Sequence, residues 1–143
     1  LVGRDVISCE STLESELKAL KDSYIGQFDY FCIHYKLADS AGEDGDFEIK
    51  TKRLEEFDAH LESISALAPD VLVVGGDHAT PSYISSHSWH PVPFLIKSQY
   101  SEGSAGASFS EIPCRLGSIG SIKAEQLMLS VLAHAGKLNK FGP

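Results

Sequence analysis

Residues 70–78 read Asp70-Val-Leu-Val-Val-Gly-Gly-Asp77-His78, an apolar run closed by two glycines and then by two polar residues. A strand wet on one face alternates apolar with polar residues. This one does not alternate, so it predicts a parallel strand covered on both faces, which requires helices packed against a sheet. Helical periodicity supplies them. Ser11-Thr12-Leu13-Glu14 is a capping-box pattern, and Leu13, Leu17, Leu20 and Tyr24 follow on one face, predicting a helix over 12–24. Phe47, Leu54, Phe57, Leu61 and Ile64 form a second stripe, with Lys50, Lys52, Glu55, Glu56 and Glu62 outward, predicting a helix over 47–66 that ends before Pro69. Leu127, Val131, Leu132 and Ala135 mark a third over 123–135, closed by Gly136. Residues 28–34 suit a buried strand, 91–96 a strand near an edge because of its prolines, and 98–110 a loop of Ser, Gly and Ala. The expectation is one α/β domain over 1–143 with a mainly parallel sheet and flanking helices. Ligands gather at the carboxyl ends of such strands, here after His34 and after Gly76.

Charge narrows the partners. Twelve Lys and Arg against twenty Asp and Glu give the 143-residue chain a net charge of -8, which repels nucleic acid and anionic membranes. The excess lies entirely in residues 1–70, with sixteen acids and seven bases against four and five in 71–143. No apolar run is long enough to span a membrane. Cys9, Cys32 and Cys114 are odd in number and widely spaced, which predicts reduced thiols, with Cys32 filling the core. The chain starts at Leu1, so a start or leader is expected to be missing. The expected compartment is the cytoplasm, or an organelle matrix or stroma if a transit peptide was removed.

Two segments carry the chemistry. Asp39, Glu43, Asp44, Asp46 and Glu48 place five carboxylates in ten residues with no base among them. Such repulsion invites a cation, although the local sequence by itself favours a solvated acidic loop leading into a helix. Asp77-His78 follows two glycines at a strand end, a carboxylate and an imidazole suited to a divalent metal or to a plain surface turn. His87 and His90 add imidazoles in a Ser-rich loop, where a single histidine is usually surface; His60 and His134 fall inside helical patterns and read as structural.

The ordered motifs His34-Tyr-Lys36-Leu-Ala-Asp39-Ser-Ala-Gly-Glu43-Asp44-Gly-Asp46-Phe47, Gly76-Asp77-His78-Ala-Thr80-Pro81 and Ser86-His87-Ser-Trp-His90-Pro91-Val-Pro93 resemble the archaeal-type, cofactor-independent phosphoglycerate mutases of the alkaline phosphatase superfamily. The segment from Cys114-Arg-Leu-Gly117 through Lys140-Phe141-Gly142 resembles that family's carboxyl end. The resemblance implies a partial alkaline-phosphatase-like domain that interconverts 3-phosphoglycerate and 2-phosphoglycerate through a phosphoserine. It implies two divalent metal ions, one on Asp39, Glu43 and His87, the other on Asp77 and His78, with His34 and Lys36 near the substrate. Where the wider superfamily has histidine this chain has Glu43, and the harder oxygen ligand favours manganese or magnesium over zinc. Family members are longer and carry the nucleophilic serine in an amino-terminal segment. Leu1-Val-Gly-Arg-Asp-Val resembles an internal stretch, and Ser40, Ser82 and Ser86 do not match the nucleophile's setting. The resemblance thus implies a chain that supplies most metal ligands, no nucleophile and no activity by itself. A missing amino-terminal portion or a partner subunit would complete it. The competing expectation is a noncatalytic relic serving as a structural subunit of a larger assembly; a phosphatase or sulfatase fits the motifs less well.

Overall fold

The computed structural model describes residues 5–26, 28–103 and 108–138. In chain order the elements are α1 (Leu13–Ser23), α2 (Leu37–Glu43), α3 (Phe47–Ser65), β1 (Val71–Gly75), β2 (Phe94–Ser98), α4 (Glu111–Arg115) and α5 (Ala124–His134). The alternation of helices with a small sheet is a mixed α/β architecture.

The long helices begin where capping chemistry places them. The Thr12 hydroxyl accepts from the Ser15 amide at 3.2 Å, and the Asp46 carboxylate accepts from the Ile49 amide at 2.8 Å. In α1 the i, i+4, i+7 spacing buries Leu13, Leu17 and Leu20 on one face. These three and Ile64 of α3 form the core, with Tyr24, Phe31, Ile33, Tyr35, Phe57, Leu61, Leu67 and Leu72 packed around them. The predicted stripe of α3 is only half used: Phe57, Leu61 and Ile64 reach the core, while Phe47 and Leu54 are exposed. At the end of α5, Gly136 has φ 65°, the left-handed conformation that closes a helix.

The sheet departs from expectation. β1 and β2 pair antiparallel, from Val71 opposite Ser98 to Gly75 opposite Phe94, and they are the whole ladder among the described residues. Nor is β1 covered on both faces, since Val71–Val74 are only half-buried, and an apolar run in any case says nothing about a neighbour's direction. Direction follows from the connection, and a parallel pair needs a crossover, usually helical. Residues 76–93 form no helix and fold back on themselves, so the chain returns beside β1 in the opposite sense.

Residues 28–34 are not a strand, because none of the described residues offers them a ladder partner. The backbone is extended all the same. Phe31, Ile33 and Tyr35 turn inward while Cys32, His34 and Lys36 turn outward, the period of two of a pleated chain. Cys32 is therefore exposed and does not fill the core. The acidic stretch was expected as a loop, but its first half is the helix α2. Among the described residues no helix is long and apolar enough to cross a membrane. The expected loop at 98–110 follows β2 but falls partly outside the described residues, as do the ends of the motif segments at 1–4 and 139–143.

Candidate metal centre

Three pieces of chain meet at one end of the molecule. The first is the outward side of the extended segment, carrying His34 and Lys36. The second is α2, on which Asp39 and Glu43 stand one turn apart, at i and i+4, and so share a face. The third is the fold-back after β1. There the Ser88 amide donates to the Ala79 carbonyl at 2.8 Å, and the rings of His78 and His87 lie with centroids 3.9 Å apart, tilted by 33°.

Glycines let the second and third pieces approach. Gly42 is buried, and a Cβ there would collide with the Thr80 carbonyl oxygen and come within 2.9 Å of Lys50 Nζ. Gly45 has φ 74°, the left-handed region, and a side chain there would meet Ser85 Oγ at 2.6 Å. The ammonium of Lys50 donates to the Thr80 carbonyl, fastening α3 to the same point.

Asp39 lies at the middle. One oxygen, Oδ2, receives the Lys36 ammonium; the other, Oδ1, receives the hydroxyl of Thr80 and lies 3.8 Å from His78 Nδ1 and 3.7 Å from His87 Nε2. His87 Nε2 is 3.3 Å from Glu43 Oε1. On the other side, His78 Nε2 is 3.6 Å from Asp77 Oδ2, and His34 Nε2 is 3.9 Å from that same oxygen. His78 Nδ1 is 3.1 Å from Thr80 Oγ1. Asp39, His78 and His87 can each offer a ligand atom within 4.8 Å of the others.

The electrostatics favour the anion at the centre. Burial alone would push the Asp39 carboxyl up, but hydrogen bonds from Lys36 and Thr80, with the charge of Lys36 and, whenever its ring is protonated, that of His78, outweigh it and hold the group below its ordinary value. The bond to Asp39 lifts the Lys36 ammonium above its own. Nearby on α1, burial raises the Glu16 carboxyl while the charge of His34 opposes the rise.

All seven residues singled out for the site, His34, Lys36, Asp39, Glu43, Asp77, His78 and His87, thus fall in one chain of contacts. His90 turns elsewhere, its Nδ1 2.8 Å from Ser88 Oγ and its ring stacked on Trp89. His60 and His134 have structural contacts, to the Glu56 carbonyl at 2.8 Å and to Ser98 Oγ at 2.7 Å. Thr80, only 4% exposed and bonded to two of the seven, is the residue that the sequence did not single out.

Comparison with known proteins gives this cluster a context. A Thermotoga maritima protein named as a probable 2,3-bisphosphoglycerate-independent phosphoglycerate mutase is 47% identical over 142 residues, covering 99% of this chain and 35% of the relative. Proteins of the same name from Thermus thermophilus and Aquifex aeolicus are 46% and 47% identical, again over 99% of this chain and over 36% and 35% of theirs. The chain therefore spans about a third of the length of the curated relatives it matches. A solved structure of a Pyrococcus horikoshii protein superposes with a TM-score of 0.85 at 26% identity, covering 99% of this chain and 46% of that one. The Metalloenzyme superfamily profile matches residues 5–134, a superfamily whose membership implies divalent-metal chemistry, and the chain belongs to it.

Proposed function

We propose that residues 1–143 are the carboxyl-terminal part of an alkaline-phosphatase-like phosphoglycerate mutase, and that the cluster is its two-metal centre. The observation that supports this is the spacing of the donor atoms. Ligands about 2.0 to 2.3 Å from one ion lie roughly 3.0 to 3.8 Å apart in tetrahedral or octahedral geometry. His87 Nε2 stands 3.3 Å from Glu43 Oε1 and 3.7 Å from Asp39 Oδ1, and Asp77 Oδ2 and His78 Nε2 stand 3.6 Å apart. The donor set, three carboxylates and two imidazoles, suits manganese or magnesium better than zinc.

In this reading Asp39, Glu43 and His87 hold one ion, and Asp77 and His78 hold the other. Such a pair of ions supplies charge neutralisation at the attacking and leaving oxygens of an in-line phosphoryl displacement. The chain's own residues do the rest of the positioning. His34 and Lys36 project from the same side of the extended segment, and the Lys36 ammonium suits the phosphate or carboxylate of phosphoglycerate. The phosphoserine forms on a serine outside these residues, in the amino-terminal portion or a partner subunit. Three cysteines without a partner suit the cytoplasm or a reducing organelle matrix or stroma.

The test is the full-length protein with manganese, followed by phosphorus NMR for conversion of 3-phosphoglycerate to 2-phosphoglycerate. Chelation and Asp77→Ala should each lower turnover at least about 100-fold, the scale of a lost metal-shell group. Conversion that survives both would overturn the reading.

A further inference from the structure

The position of His78 leaves a choice that the donor distances do not make. Its Nδ1 lies 3.8 Å from Asp39 Oδ1, close enough to join Asp39 and His87 around one ion, while its Nε2 lies 3.6 Å from Asp77 Oδ2 and could share a different one. A neutral imidazole has a single lone pair to give, on whichever nitrogen lacks the proton.

We propose that Thr80 makes this choice: it is a positioning residue that holds His78 in the Nδ1–H tautomer and so commits Nε2 to the ion on Asp77, keeping the two halves of the centre separate. The proposal rests on the two-metal reading above. A threonine hydroxyl has one proton, and at Thr80 it is donated to Asp39 Oδ1. Towards His78 the same oxygen can then only accept, so the 3.1 Å contact needs a proton on Nδ1. With Nδ1 protonated, the lone pair is on Nε2, the nitrogen that faces Asp77. Ring nitrogens opposite a ligand atom are commonly fixed in this way.

The hydroxyl cannot easily turn away. Thr80 is 4% exposed, its carbonyl receives the Lys50 ammonium, and Gly42 presses against that carbonyl from α2. Two contacts, from α3 and α2, therefore fix the Thr80 backbone so that its buried hydroxyl lies between Asp39 and His78. Deleting it would release both of them, and would leave His78 free to adopt the Nε2–H tautomer and turn Nδ1 toward Asp39.

The experiment uses the full-length protein labelled with nitrogen-15 at histidine. Multiple-bond proton–nitrogen correlation on the metal-free protein, recorded at a pH high enough that the imidazoles are neutral, reads the tautomer of His78, and manganese titration followed by electron paramagnetic resonance reads the number and strength of the sites. Wild type and Thr80→Ser are expected to show Nδ1–H at His78 and two manganese sites. Thr80→Val should show the Nε2–H form and weaken one site by about 10 to 100-fold, the usual effect of losing a group that orients a ligand. Recovery by serine separates this role from simple loss of packing. Nε2–H in the wild type overturns the proposal without recourse to any variant. Two sites of unchanged strength in Thr80→Val overturn the role of Thr80 alone, whereas no manganese binding by the wild type overturns the metal-centre reading and the ligand assignment with it.

Discussion

Glu43 stands one turn beyond Asp39 on α2, with Oε1 3.3 Å from His87 Nε2, and in the proposed centre its oxygen would be a ligand of one ion. Imidazole in its place is the softer donor. In the full-length protein Glu43→His should therefore raise zinc uptake relative to manganese by about tenfold, the scale on which changes around a bound metal act. Competition dialysis followed by mass spectrometry measures the ratio, and an unchanged ratio removes Glu43 from the ligand set. Residues of this kind are legible in a sequence because their chemistry is conspicuous: carboxylates crowded without a base, or Asp-His behind two glycines at a strand end. Thr80 and Gly42 give no such signal. A threonine before a proline and a glycine in an acidic stretch acquire their roles from contacts with α2 and with the fold-back, which only the folded chain brings together.

At the scale of elements, the three long helices α1, α3 and α5 followed from periodicity and caps, whereas the short α2 and α4 did not, and neither did the sheet, because strand direction is set by residues 76–93 and not by β1 itself. The extended segment at 28–36 shows another limit: its inward residues are Phe31, Ile33 and Tyr35, but its attachment is made by a side chain. Tyr35 donates to Glu56 Oε2 at 2.8 Å, and Arg53 donates to the same oxygen at 2.9 Å, tying the segment that carries His34 and Lys36 to α3. Burial and the bond to the Glu56 carboxylate push the Tyr35 phenol up to about 12. A phenol whose folded pKa is raised contributes stability that is complete below its unfolded value near 10 and is lost as pH climbs toward the folded one. Urea midpoints should thus fall more steeply between about pH 10 and about pH 12 for wild type than for Tyr35→Phe. At pH 8 the phenylalanine variant should be less stable by about 1 kcal/mol. Parallel curves for the two proteins would show that this bond does not hold the segment.

At the scale of the whole molecule, the surface is too large for the mass. A compact monomer of 15.5 kDa exposes about 7,200 Å2 by the usual scaling, whereas this chain exposes 10662 Å2. Large apolar side chains lie on that surface: Ile25 is 94% exposed, Trp89 87%, and Tyr83 and Leu116 81%. The two-stranded ladder points the same way, since a sheet of two strands is marginal without further strands or cover. The relatives that match this chain are about three times as long, and the remainder of such a fold is the natural cover for these faces. Burying even about 400 Å2 of apolar surface is worth roughly 10 kcal/mol at about 25 cal/mol per Å2, as much as the whole net stability of a typical domain. Residues 1–143 expressed alone at micromolar concentration should therefore self-associate, or melt without cooperativity and with weak near-ultraviolet circular dichroism. They should also show no mutase turnover, because a phosphoserine route needs its serine. Sedimentation alongside thermal melts checks the first expectation. A sharp, monomeric, cooperative transition would mean that the exposed faces tolerate water, and would favour an independently folding, noncatalytic unit over a part of a larger enzyme.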